Sequence, residues 1–147
     1  MRPAPLFLVA AVVAATAILG ISLAFGANQA LISEFLAANS NGLRDEDGDA
    51  SDWIEIHNPT AATINLEGWH LTDNDDNLDK WTFPSVEMAP GGFLVVFASK
   101  KDRAQVGSEL HTDFQLSSGG EYLGLVQPDL GIASEFASDY PTQFANT

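Results

Sequence analysis

From residue 31 onward the chain is written in short runs of alternating apolar and polar residues, each cut off by glycine, proline, asparagine or aspartate about every ten residues. A period of two is what a half-buried strand demands, because successive side chains of a strand point to opposite faces of its sheet. The runs fall at 31–37, 53–57, 64–71, 81–83, 93–98, 110–116, 122–126 and 132–136. Turn signals stand between them at Asn58-Pro59, Ala89-Pro90-Gly91-Gly92, Ser117-Ser118-Gly119-Gly120 and Gln127-Pro128-Asp129. In 110–116, Leu110, Thr112, Phe114 and Leu116 should face one way, and His111, Asp113 and Gln115 the other. Residues 93–97 are apolar on both faces and predict a strand covered on each side. No helical apolar period runs far beyond Ala30, so one short helical turn near 99–105 is the most helix expected there. Eight short strands without an internal repeat predict an all-β sandwich, formed by a single domain over residues 31–147.

Residues 1–30 obey different rules. Arg2 is their only formal charge, and residues 4–27 form an uncharged run rich in Leu, Val, Ile and Ala. This predicts an N-terminal hydrophobic helix, serving either as a signal peptide or as an anchor. Small residues in Ala24-Phe25-Gly26 and Asn28-Gln29-Ala30 offer cleavage sites for the first. The run, roughly 20 residues or more, also suffices to cross a bilayer uncleaved. Both readings place residues 31–147 outside the cytoplasm, secreted or anchored to the outer face of the cytoplasmic membrane. The membrane is then touched only through the N-terminal segment.

Charge narrows the partners. The chain carries 20 acids against 6 bases, a formal net charge of −14, and every acid lies at Glu34 or later. Nucleic acid is excluded as a partner, since affinity for it rests on Lys and Arg displacing counterions and no basic stripe exists. An acidic surface suits cations, calcium among them, and basic surfaces on a protein or cell-surface component. The chain has no cysteine, which removes disulfides, a thiolate nucleophile and any Cys-based zinc site.

The acids gather in two loops. Asp45, Asp47, Asp49 and Asp52 surround Gly48, and Asp73 and Asp75 lie in a second loop, 73–79. Carboxylates at alternate positions around a glycine can bend about one hard cation, so these six form a candidate calcium site if the fold joins the loops. The spacing departs from the EF-hand, since Gly48 comes too early and Ile56 stands where the last acid belongs. The competing reading is two solvated turns, which Asp, Asn and Gly favour without any metal.

Trp53, Glu55 and His57 share one strand face, and a ligand patch there competes with plain packing, which the large apolar area of tryptophan favours. His57, His70 and His111 show no zinc spacing and no HExxH run. No GxSxG elbow is present, and Ser117-Ser118-Gly119-Gly120 reads as turn chemistry. No catalytic residue and no cofactor other than possible calcium is expected. The one basic run, Lys100-Lys101-Asp102-Arg103, reads as a solvated loop able to pair with an acidic face of a partner.

The succession ISEFLAANS (32–40), DEDGDASDWIEIHNP (45–59), INLEGWHLTD (64–73), KWTFP (80–84), APGGFLVVFASKKDR (89–103) and ELHTDFQLSSGGEYLGLV (109–126) resembles a bacterial lamin-tail domain. The likeness spans about 110 residues, with several blocks in order. It implies an immunoglobulin-like β-sandwich and a non-catalytic extracellular binding, adhesion or accessory role. The alternatives are a calcium-dependent binding domain using the acidic loops and an N-terminal accessory fragment of a larger secreted hydrolase. In the family a further segment follows a stretch like Tyr140-Pro141-Thr142-Gln143, whereas this sequence stops at Thr147, which leaves a truncated C-terminus or a frayed last strand as expectations.

Overall fold

The structure, a computed structural model, describes residues 29–145. The expected N-terminal hydrophobic helix lies outside those residues. Among the described residues there is no helix and therefore none that could cross a membrane.

Ten strands form: β1 (Leu31–Leu36), β2 (Asp52–His57), β3 (Ile64–Asn65), β4 (His70–Thr72), β5 (Trp81–Thr82), β6 (Glu87–Met88), β7 (Phe93–Ala98), β8 (Leu110–His111), β9 (Leu123–Val126) and β10 (Ile132–Phe136). One sheet has the order β1-β2-β7-β8, the other β10-β9-β4-β5, and β3 pairs with β6 in a small third sheet. All pairings are antiparallel except β7 with β8. The two large sheets share one core. Ile54, Ile56, Val96 and Leu110 from the first meet Leu71, Trp81, Leu123 and Leu125 from the second in a single buried cluster. The all-β sandwich is thus the observed architecture, and its elements are shorter and more numerous than the runs suggested.

Three differences have physical causes. The run 64–71 is two strands, because Leu66–Trp69 turns back on itself with Gly68 at φ 76° and the Trp69 N–H bonded to the Leu66 carbonyl. β7 is covered unevenly: Phe93 is 61% exposed, whereas Phe97 is buried and stacked against the His111 ring. The helical turn expected near 99–105 does not form. Lys100 and Asp102 take left-handed φ values of 62° and 49°, and the segment runs beside 111–114, its N–H groups bonding to the Phe114, Thr112 and His111 carbonyls. The same pairing buries His111, which simple alternation would have turned to solvent.

The open side of the sandwich is closed between β1 and β10, which both carry a bulge there. The Ile32 N–H donates to Ser134 Oγ at 3.2 Å, and Gln29 Nε2 donates to the Ala133 carbonyl at 2.8 Å. Phe35 packs edge-on against Phe136 and tilted against Tyr140. Tyr140, from the Tyr140-Pro141-Thr142-Gln143 stretch, is buried and donates its hydroxyl to the Ser117 carbonyl at 2.9 Å, and Gln143 Oε1 accepts the Ala37 N–H at 2.8 Å. Gly120 is required at this junction: its φ is 100°, and a Cβ on it would collide with the Tyr140 carbonyl.

At the far end of β2, fully buried Asn58 holds three segments together. Its Nδ2 donates to the carbonyls of Ala62, Met88 and Ala89 at 2.8, 3.0 and 3.1 Å, and its Oδ1 accepts from the N–H and hydroxyl of Thr60. An apolar replacement removes all three bonds and strands the buried Met88 carbonyl away from water. Asn58→Leu is expected to lower unfolding free energy by about 3 kcal/mol, read from the midpoint of urea denaturation at unchanged slope.

Candidate functional site

The loop joining β1 to β2 is organised by two buried side chains. Asn39 donates to the Leu43 and Ser51 carbonyls and accepts the Gly42 N–H, which shapes the first half. Asp45 shapes the second: its Oδ1 accepts the N–H groups of Asp47 and Asp49 at 3.1 and 3.0 Å, and its Oδ2 accepts the Ser51 hydroxyl at 2.9 Å. Gly48, with φ 84°, lets the chain reverse so that its N–H returns to the Asp45 carbonyl at 2.8 Å. The outcome is a ring of carboxylates at alternate positions, as the spacing anticipated.

What occupies the middle of that ring is the ammonium of Lys101. Its Nζ lies 2.7 Å from Asp45 Oδ2, 2.7 Å from Asp47 Oδ2 and 2.9 Å from Asp49 Oδ2. Arg103 stands beside it, with one nitrogen 2.9 Å from Glu46 Oε1 and the other 2.8 Å from Asp47 Oδ2. The basic run is thus consumed within its own chain, and the reading of it as a solvated loop free to meet a partner is corrected for these two side chains. The left-handed residues Lys100 and Asp102 are what aim Lys101 and Arg103 across to the acidic loop.

The electrostatics follow the burial. Burial of Asp45 pushes its carboxyl upward, but the hydrogen bonds from Lys101, Ser51 and the Asp49 N–H outweigh it and hold the group down to about 2. The same bonds overcome burial at Lys101 and hold its ammonium well above the ordinary lysine range. At exposed Asp47 the hydrogen bonds from Lys101 and then Arg103 lower the carboxyl.

The other expected calcium residues stand elsewhere. Asp52 accepts the Asn39 N–H at 3.1 Å, and its half-burial raises its carboxyl. Asp73 pairs with Lys80 at 2.6 Å, Lys80 lies over the Phe114 ring, and Asp75 is exposed. Among the described residues, Asp45, Asp47 and Asp49 have carboxylate oxygens within 4.8 Å of one another, and Asp52, Asp73 and Asp75 join no such group.

A second grouping went unread in the sequence: Glu46, Glu109 and His111, also within 4.8 Å. His57 stacks flat on Phe93 at 4.2 Å and His70 Nδ1 meets Thr82 Oγ1 at 2.9 Å, so the three histidines serve three separate places. Trp69 and Trp81 are buried in the core as packing requires, while Trp53 is half-buried on the outer face of β2. Among the described residues no cavity opens that could enclose a small substrate.

Two comparisons bear on this arrangement. A model of the family described as Lamin Tail Domain matches residues 25–137, which takes in all ten strands and the acidic loop. No curated protein matches the chain.

Removing the lysine leaves a buried carboxylate without its counter-charge. Lys101→Met is expected to destabilise the domain on the order of 3 kcal/mol. Asp49→Ala removes a pairing from a side chain that is 65% exposed and should cost less than about 1 kcal/mol. Because Asp45 titrates near 2 when folded and at the ordinary 3.8 when unfolded, its contribution is complete above about pH 5 and is lost as pH falls from about 5 towards 1. Acid denaturation followed by circular dichroism checks this: the loss of stability across that interval should shrink in Asp45→Asn relative to the parent.

Proposed function

The chain belongs to the lamin tail domain family, and from that premise we propose that it works outside the cytoplasm as a non-catalytic module that binds or holds a protein or cell-surface component. One observation carries the reading: the acids and bases that sequence alone would nominate for chemistry are engaged in holding loops. Asp45, Asp47 and Asp49 close on Lys101, Glu46 on Arg103 and Asp73 on Lys80. A reaction centre needs titratable groups poised in a cleft, whereas these are neutralised on an uncleft surface. Export is supported by the apolar leader, and the net charge of −14 favours a basic partner surface or one reached through cations. As an appended module it could equally serve a secreted hydrolase, by holding that enzyme at its surface.

A second reading is favoured by the convergence of the Asp45, Asp47 and Asp49 oxygens: a calcium-dependent form in which the ion displaces Lys101 from the ring. The cost is the loss of an ion pair that already satisfies the buried carboxylate. Calorimetric titration separates the two. The leading reading expects neither heat nor a change in melting midpoint when calcium is added to chelator-treated protein, and a midpoint that rises with calcium establishes the second.

Export is tested in cells expressing the full chain with a C-terminal tag. Protease added outside should remove the tag while a cytosolic marker survives, and a protected tag overturns the proposal. Binding through the acidic surface should weaken as salt is raised, because screening shortens the reach of exposed charges. Retention on the surface that is indifferent to salt would reject the electrostatic part.

A further inference from the structure

His111 is held on every side but one. Its backbone exchanges two 2.9 Å hydrogen bonds with Arg103, its ring stacks on Phe97, and its Nδ1 lies 2.8 Å from Ser99 Oγ. The residue is fully buried, yet Nε2 has no hydrogen-bond partner. The nearest acidic group is the Glu109 carboxylate, with Oε2 at 4.0 Å, too far for a hydrogen bond. If Nδ1 carries the proton and donates to Ser99, the Nε2 lone pair faces a carboxylate with nothing between them. If Nε2 carries the proton, a buried donor goes unused, at a cost of about 1–3 kcal/mol.

A cation between the two groups removes the difficulty. The 4.0 Å from Nε2 to Oε2 exceeds the ~3.3 Å that separates two ligands of a tetrahedral zinc with bonds of ~2.0–2.1 Å, and a small rotation of the partly exposed Glu109 side chain closes the difference. Glu46 is drawn to the same place by its own N–H, which donates to Glu109 Oε2, and one carboxylate oxygen of each acid lies within 4.8 Å of a ring nitrogen of His111. Arg103 now engages Glu46, but its second nitrogen keeps Asp47, so Glu46 can turn to an ion without leaving the guanidinium unpaired. The Glu46 and Glu109 side chains are 44% and 39% exposed and give the ion a way in from solvent. The Nδ1 contact to Ser99 is the outer hydrogen bond that orients a metal-bound imidazole.

We propose that His111 Nε2, Glu109 and Glu46 form a site for one divalent transition-metal ion of the zinc type, which clasps the acidic loop to β8. A mixed nitrogen and oxygen set suits such an ion, whereas calcium takes six to eight oxygens and has no use for imidazole.

The test uses untagged full-length protein stripped with chelator. Zinc should raise the melting midpoint and bind at one ion per chain, and calcium should not reproduce the shift. Cobalt in place of zinc should give a visible absorption spectrum of nitrogen and oxygen ligation. Glu109→Gln, on a partly exposed side chain, should weaken zinc at least tenfold, and it decides the matter even if His111→Ala does not fold. His57→Ala with His70→Ala should leave zinc affinity unchanged. An unaltered midpoint with zinc, or equal affinity in the parent and Glu109→Gln, overturns the proposal.

Discussion

A carboxylate whose side chain has no exposure to solvent must be matched where it stands, and Asp45 is such a group. Its two oxygens take two backbone N–H groups, one hydroxyl and one ammonium, which is close to all they can accept. Satisfying it requires the loop between β1 and β2 to close on itself. It also requires the segment after β7 to deliver Lys101 from more than fifty residues away. That delivery places Arg103 against Glu46 and Asp47, and the backbone of Arg103 then pairs with His111. One neutralised acid thus fixes the end of the first sheet at which both candidate ion sites lie.

The same economy governs the strongly acidic surface. A net charge of −14 opposes compaction, and the few bases are placed where repulsion would be greatest: Lys101 and Arg103 in the densest acidic loop, Lys80 beside Asp73. Most of the acids beyond the reach of these bases stay exposed and give the molecule its external field. Loop order and surface charge therefore come from one distribution of residues.

The sandwich meets a second demand, the protection of its edges. Exposed edge strands invite pairing with other chains, and here β1 and β10 are bulged toward each other and joined through Gln29, Ser134 and the Phe35–Phe136 contact. Tyr140 and Gln143 tie the chain after β10 to the Ser117–Gly120 turn and to the end of β1. Polar hubs such as Asn58 do for the opposite end what Asp45 does for this one.

Much of the fold was legible in residue order. Period-two alternation and turn residues are local properties, so strands near 31–36, 52–57, 93–98, 123–126 and 132–136 and the all-β class could be read directly. The acidic ring was legible too, since alternate carboxylates about Gly48 dictate which oxygens converge. Tertiary structure alone decided what sits inside the ring, because Lys101, flanked by left-handed Lys100 and Asp102, reaches it from more than fifty residues away. It also decided that His111, polar by pattern, is buried beside Glu46 and Glu109, since that depends on segments far apart in sequence being brought into register. Local backbone preference writes strands and turns into neighbouring residues; the pairing of charges is a property of distance in space, which no short stretch of sequence contains.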